Sequence, residues 1–419
     1  MPCLLTRRLP WSSTPSLLQP MRFRPQWNFR KSYSTSNKLS DPLRILFCGS
    51  DDFSCASLHA LYREYRRNSA LIRSIDVVVR PAKPTGRGYK ELREVPVQKL
   101  ANELGLPVHV RDTFTGWNMP QPEGDPINLI IAVSFGLFVP PRLLSAAKYG
   151  GLNVHPSLLP DLRGPAPLHH ALLHGDTHTG VSIQTLSPTT FDAGTILSQT
   201  PPPGIPIPRD CTLVQLHNLL APVGAEMLVD VLRQGKHVPP HEDVVENDVK
   251  GKEGLRHAPK VEKKDGEVRL VGTPSGRTAA RDAVLRERVL GAVWTHVRVP
   301  GKKVGDEGVV KRVILGELSE MDGWNAPSEL TKGTVTFLQQ YPPPSAGSSP
   351  EAQKQQFTPV PLTTYFFLPS DAVPKGPGAG AVAVHMPDGS WLCIGRIKVE
   401  GSTAKPAAKV MRSLLSVAQ

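Results

Sequence analysis

Cysteine is scarce, with only five residues in 419, at Cys3, Cys48, Cys55, Cys211 and Cys393. No CxxC pair occurs, and the spacings match neither a zinc ribbon nor a dithiol redox centre. Scattered cysteines of this kind are expected as reduced structural thiols. No apolar run reaches the 18 residues that a membrane-spanning helix requires. The first forty residues contain no aspartate or glutamate, and the sequence has no internal repeat. These absences exclude a disulfide scaffold, a zinc module, a helical membrane protein and a solenoid.

The chain does have proline and basic charge in quantity. Its 43 prolines predict long irregular connections. The formal net charge is +12, but seven Lys/Arg lie in residues 1–40, and removing them leaves 42 basic against 37 acidic residues. The body is therefore mildly basic at +5, and any nucleic-acid contact must come from local patches. The opening segment, rich in Arg and Ser, has the composition of a mitochondrial transit peptide, with cleavage expected between Tyr33 and Leu43.

From Leu43 the pattern changes. Short apolar runs at Leu43–Cys48, Ile75–Val79, Ile127–Val133 and Gly151–His155 alternate with helical spacing at Val95–Leu104, Pro141–Ala147 and Pro165–Leu173. That alternation predicts an α/β fold whose mostly parallel, Rossmann-like sheet is covered on both faces, with ligands at the carboxyl ends of strands. Two more strands, Gly180–Leu186 and Thr195–Thr200, and an amphipathic helix, Leu213–Leu232, close a first domain expected over 41–235. A polar linker over 236–255 leads to a C-terminal domain over 256–419. There the short runs at Val309–Ile314, Gly333–Phe337, Ala381–His385 and Trp391–Ile394 suggest a small OB-like β-barrel. The stretch 341–378, dense in Pro, Gly and Ser, is expected to be a partly disordered insertion.

The chemistry concentrates in GLNVHPSLLPDLRGPAPLHH, followed some way on by FDAGTIL. Asn153 and His155 are two apart on a strand, so both side chains project from one face. Asp192 follows in a later loop. A carboxylate beside an imidazole favours its protonated, donating form. An Asn–x–His pair taken singly is more often structural, and the combination carries the weight. No nucleophile accompanies it, because Ser157 lies in a Pro-bounded loop and not in a GxSxG elbow. Such a set suits an attack by the substrate itself, with the protein stabilising a tetrahedral oxyanion.

This arrangement of Asn–x–His, then Ser-Leu-Leu-Pro, then a distant Asp–x–Gly resembles the folate-dependent formyltransferases. The resemblance covers about residues 43–235 strongly and the remainder weakly. It implies that Asn153, His155 and Asp192 are the catalytic three. It further implies that Ser157, Leu158, Leu159 and Pro160, with Phe135, Gly136 and Leu137, adjoin the folate. The co-substrate would be 10-formyltetrahydrofolate, and no metal is called for.

The acceptor amine needs its own argument. After the first strand the chain reads CGSDDFSCASL, with a single glycine and two aspartates, whereas relatives in the resembled family that act on a purine precursor carry a glycine-rich loop there for a ribose phosphate, which disfavours a nucleotide acceptor. The loop RPAKPTGRGYKELR is basic and glycine-flexed, and Lys83, Arg87, Lys90 and Arg93 could track a phosphate backbone. It resembles the insertion by which family members that formylate methionyl-tRNA enter the acceptor end of initiator tRNA. Tyr89 stands where a second lysine is common. The implied protein is a monomer of the mitochondrial matrix that binds folate and initiator methionyl-tRNA and no membrane. The alternatives are a relative acting on an amino sugar and a formyl-folate hydrolase.

Overall fold

The computed structural model describes residues 38–85, 91–93, 95–245, 254–268, 277–299, 309–326, 332–335, 337–340, 357–359, 363–368, 373–374, 377–378 and 380–415. The expected transit segment through residue 37, and Arg87 and Lys90 of the basic loop, lie outside these residues.

The first half is built on strands β1 (Leu43–Gly49), β2 (Ile72–Val79), β5 (Val108–Val110), β6 (Leu129–Val133), β7 (Gly151–His155), β9 (Ser182–Thr185) and β10 (Ile196–Gln199), ordered β10-β9-β7-β6-β1-β2-β5. Strands β7, β6, β1, β2 and β5 are mutually parallel, while β9 and β10 join antiparallel at the β7 edge. The reason lies in the residues. Strands such as LRILFCG and LIIAV are apolar at successive positions, so they are stable only where both faces are covered. Helices α1 (Asp52–Arg67), α2 (Pro96–Glu103) and α5 (Leu213–Arg233) pack on one face, where Leu58, Leu61, Leu220 and Leu228 meet Ile45, Phe47 and Ile131. On the other face lie α3 (Pro141–Ala146) and a cluster holding Leu46, Phe114, Ile130, Phe135 and Leu143.

Asp51, one of the two aspartates after β1, has a structural role as well. It caps α1 by accepting from the Ser54 N–H at 3.0 Å, and the Ser54 hydroxyl accepts from the Asp51 N–H at 3.0 Å. This reciprocal pair satisfies two of the helix's unpaired donors. Between β2 and α2 the short strands β3 (Lys83–Thr85) and β4 (Glu91–Arg93) form a two-stranded ribbon in which Lys83 stands opposite Arg93.

Helix α4 (Pro167–His174) follows the catalytic stretch, and a small ribbon pairs β8 (His178–Thr179) with β11 (Ile205–Pro206). In the second half, α6 (Ala279–Leu290) precedes a nine-stranded antiparallel sheet of β12 (Val293–Val299), β13 (Val309–Glu320), β14 (Lys332–Val335), β15 (Phe337–Gln340), β16 (Phe357–Pro359), β17 (Thr363–Phe367), β18 (Val382–His385), β19 (Trp391–Val399) and β20 (Lys405–Pro406). Helix α7 (Ala407–Leu415) ends the described chain.

This antiparallel sheet agrees with the expected β-rich C-terminal region, with more strands than the four apolar runs suggested. The pairings described run from β14 to β16 without a closing pair. The stretch 341–378, expected to be a partly disordered insertion, holds strands β16 and β17 among its described residues. Strand β17 lies inside the sheet between β14 and β18, and Tyr365 is 1% exposed. Pro and Ser dominate the composition around it and mask the five-residue β-branched and aromatic run TTYFF, which is strand-forming. Residues 341–356 of that stretch lie outside the described residues. Leu285 and Val289 of α6 pack into the core of the first half, so the two halves share apolar contacts.

Candidate active site

Strands β6 and β7 run parallel, so the chain leaves both at the same edge of the sheet. Asn153 and His155 sit at that end of β7, and the antiparallel register sets Gln184 opposite Asn153 and Ser182 opposite His155. The result is a polar stripe across two adjacent strands, made of Asn153, His155, Ser182 and Gln184.

Asp192 arrives by a different route. Strand β9 runs opposite to β7, so its following loop leaves toward the far edge and must fold back to reach Asn153. The fold-back is fixed by the Gly194 N–H donating to the Gln184 side-chain oxygen at 3.2 Å. It is tight, because a Cβ on Gly194 would lie 1.8 Å from the Thr185 carbonyl oxygen. Asp192 itself is left-handed, with φ of 53°, a conformation that Asp tolerates better than most residues.

The Asp192 carboxylate is the hub. Its Oδ1 accepts from Asn153 Nδ2 at 3.2 Å and Gln184 Nε2 at 3.1 Å, and His155 Nδ1 lies 3.5 Å away. Its Oδ2 accepts from the Gly164 N–H at 3.0 Å. The side chain is 11% exposed. A carboxylate so enclosed persists as a charge only where donors replace its lost water, and each bond to a charged group contributes about 1.5–3 kcal/mol.

His155 is 5% exposed, and its Nε2 lies 3.0 Å from the Leu162 carbonyl, which can only accept. Nε2 therefore carries a proton. Both ring nitrogens face oxygen atoms, Nε2 that of Leu162 and Nδ1 that of Asp192. Asn153 and His155 both face the Asp192 carboxylate, and the remaining amide proton of Asn153 has no partner among the described residues.

The segment after β7 is held from within. Ser157 is 1% exposed, and its hydroxyl donates to the Asp161 carbonyl at 2.7 Å. The Ser182 hydroxyl donates to the Ser157 carbonyl at 2.7 Å and accepts from the Leu159 N–H at 3.1 Å. Gln199 donates to the Leu159 carbonyl at 2.9 Å. Leu159 packs with Ile196 and Val245 in a small apolar cluster, and Pro160 is buried. Leu158 lies close against Gly180 and Gly204, where a Cβ would meet it at 2.4 and 3.1 Å.

Phe135 is buried against Phe114, with ring centres 5.9 Å apart, while Gly136 is left-handed and Leu137 is half-buried. Phe138 meets Phe191, the neighbour of Asp192, edge to face at 5.1 Å, and Phe191 remains 60% exposed. Among the described residues no group of three or more His, Cys, Asp or Glu is placed to hold a metal ion. Lys83 is exposed on β3, and the side chain of Arg93 lies outside the described residues.

Gln184, Ser182 and Gly164 were not singled out from the sequence. A signal for the first two was present in GVSIQTL, where the polar residues alternate with apolar ones and so share a face. Gly164 contributes a backbone N–H, which the residue type does not reveal.

Residues 43–232 match the formyl transferase family. Among curated proteins, the chain is similar to the mitochondrial methionyl-tRNA formyltransferase of Saccharomyces cerevisiae, 39% identical over 234 residues, covering 47% of this chain and 57% of that protein. It is similar to the mitochondrial methionyl-tRNA formyltransferase of Homo sapiens, 36% identical and covering 52% of this chain and 51% of that protein. It is also similar to the methionyl-tRNA formyltransferase of Ehrlichia ruminantium, 37% identical and covering 45% of this chain and 60% of that protein. The match thus spans between half and three-fifths of the length of these relatives.

Proposed function

From a chain whose residues 43–232 match the formyl transferase family, we propose an enzyme that moves a formyl group from 10-formyltetrahydrofolate to the amino group of initiator methionyl-tRNA in the mitochondrial matrix. The observation that carries this reading is the convergence of Asn153, His155 and Gln184 on the Asp192 carboxylate. The names of the yeast, human and Ehrlichia relatives support the acceptor, and the acid-free basic segment over residues 1–40 supports the compartment.

The folate supplies the activated formyl carbon, and the substrate amine supplies the nucleophile. Asn153 offers its second amide proton to the oxygen that becomes negative as the amine attacks. Asp192, held by Gln184 and Gly164, fixes the Asn153 amide and faces the His155 ring, so this pair can relay the proton that leaves the amine to the departing folate nitrogen. Losing one oxyanion donor costs about 10²–10³ in turnover in comparable sites. Phe138 and the exposed Phe191, the neighbour of Asp192, meet edge to face and offer an apolar surface that suits a flat heteroaromatic ring, with Leu137 next to Phe138 in the chain. Phe135, Ser157, Leu159 and Pro160 are buried, so they support the folate site through backbone groups and packing. Lys83, Arg87, Lys90 and Arg93 serve the tRNA phosphates, and residues 256–419 form its second platform.

The test incubates the purified chain with labelled formyl-folate and charged initiator tRNA. Label on the methionyl amine supports the reading, whereas label released as free formate indicates a hydrolase and label transferred to an amino sugar indicates the other alternative. Replacing Arg87 with alanine should raise KM for tRNA and reduce the salt dependence of binding by about one charge, leaving KM for folate unchanged.

A further inference from the structure

The four residues 161–164 join the polypeptide to the candidate catalytic set. The Leu162 carbonyl accepts from His155 Nε2 at 3.0 Å, and the Gly164 N–H donates to Asp192 Oδ2 at 3.0 Å. Leu162 is left-handed, with φ of 57°, and Gly164 has φ of 124°, so the loop departs from both helix and strand geometry.

The other side of the same four residues is held by a distant segment, Arg256–Ala258. The Leu162 N–H donates to the Arg256 carbonyl at 2.8 Å, the Ala258 N–H to the Arg163 carbonyl at 2.7 Å, and the Ala166 N–H to the Ala258 carbonyl at 3.1 Å. Gly164 is pressed against this segment, since a Cβ there would lie 2.5 Å from the Ala258 carbonyl oxygen. Contacts alternate along the loop. Leu162 gives its N–H to the strap and its C=O to His155, while Gly164 gives its N–H to Asp192 and its bare Cα face to the strap.

The Arg256 side chain secures the strap. It holds Asp161 Oδ2 through Nη2 at 2.5 Å, while its main-chain N–H donates to Asp161 Oδ1 at 2.8 Å. It holds Asp176 through Nη1 at 2.8 Å and Nη2 at 3.0 Å. One planar guanidinium thus spans two carboxylates, which a lysine ammonium cannot do with the same geometry. Burial alone would raise the Asp161 carboxyl, and the bonds from Arg256 overcome it and hold that carboxyl below its usual range. Beyond the strap the chain runs into the second half, where the Val268 N–H donates to the Trp294 carbonyl at 2.8 Å and Arg286 holds the Asp265 carbonyl at 2.6 Å.

We infer that Arg256 is a positioning residue, which clamps the strap against loop 161–164 and thereby sets the distance of His155 and Asp192 from the reacting atoms. This rests on the reading of His155 and Asp192 as catalytic. It makes the segment leading into the second half part of the active-site framework as well as a connection between the two halves.

The experiment measures kcat and KM for both substrates on the purified full chain, with single-turnover rates for the slowest variants. Arg256→Ala should lower kcat about 10- to 100-fold, the range expected when catalytic groups move by about an ångström, with KM for folate within about twofold of the parent. Arg256→Lys, a milder change that keeps the charge if the alanine variant fails to fold, should fall between the two. Asp176→Asn should cost less than Asp161→Asn, because Asp176 does not belong to the loop. Combined with the double variant His155→Ala/Asp192→Asn, Arg256→Ala should add less than about a twofold further loss, because its effect passes through the two groups that are already gone. Full additivity would reduce Arg256 to a structural brace and overturn the inference. Parental kcat in Arg256→Ala, with His155→Ala impaired, would overturn it while sparing the catalytic reading. Parental turnover in His155→Ala would overturn both.

Discussion

Gln184 stands directly across the β7–β9 ladder from Asn153, and the two side-chain amides donate to the same oxygen of Asp192, at 3.1 and 3.2 Å. Gln184 also accepts from the Gly194 N–H, so one side chain fixes both the carboxylate and the loop that carries it. Replacing it with leucine removes a bond to a buried charge and leaves that N–H without a partner. The expected cost is about 1–3 kcal/mol in stability and about tenfold in kcat. Gln184→Glu should be worse above neutral pH, since it sets a second carboxylate against Asp192. Thermal melting and steady-state kinetics on both variants check this, and a parental rate in Gln184→Leu would remove Gln184 from the site.

Asp192→Asn is the sharpest test of the hub. Asparagine tolerates the left-handed backbone, so the loop keeps its shape. The charge is lost, and the new amide can present only one oxygen to donors that now reach two. Turnover should fall by at least about 10², by analogy with losing a single oxyanion donor, while folate affinity persists. Equilibrium binding of labelled folate beside the kinetic assay separates the two effects. Equal rates in variant and parent would refute the assignment.

Gly194→Ala probes the fold-back itself. A Cβ 1.8 Å from the Thr185 carbonyl cannot be accommodated without moving backbone, so the Asp192 loop must shift. Overpacking of this kind costs about 1–3 kcal/mol, and turnover should fall with little change in the rest of the fold. Circular dichroism and activity measured together would show a folded, slow enzyme. A fully active variant would mean that the loop has slack the structure does not show.

His237 governs a pH dependence away from the site. It is fully buried, its Nε2 lies 2.9 Å from the Ser40 hydroxyl, and burial is the main cause that pushes its pKa down to about 4. In the unfolded chain it titrates near 6.5, so the unfolded state takes up the proton first as pH falls. The stability held by neutral His237 is complete above about pH 6.5 and is lost progressively as pH drops to about 4. Melting temperatures across that window should fall for the parent, and more shallowly for His237→Gln.

Much of this was legible in the residues. Uninterrupted apolar runs such as LIIAV cannot be covered on one face only, so the parallel sheet followed from composition. The proximity of Asn153 and His155 followed from the two-residue period of a strand. Strand β17 was not legible, because a proline- and serine-rich neighbourhood hid a five-residue run that gains its stability from β14 and β18 on either side. Asp51 was read only as a charge repelling phosphate, and its structural role is the cap of α1.

Periodicity and residue type, both local properties, determined which strands form and which polar groups share a face. They left open what those groups would meet. The return of the 186–195 loop over β9, the placing of Gln184 against Asp192, and the Arg256 strap behind loop 161–164 join residues 10, 8 and 95 positions apart. Such pairings form only when packing has offset the entropy of closing the intervening loops, and that balance belongs to the whole folded chain.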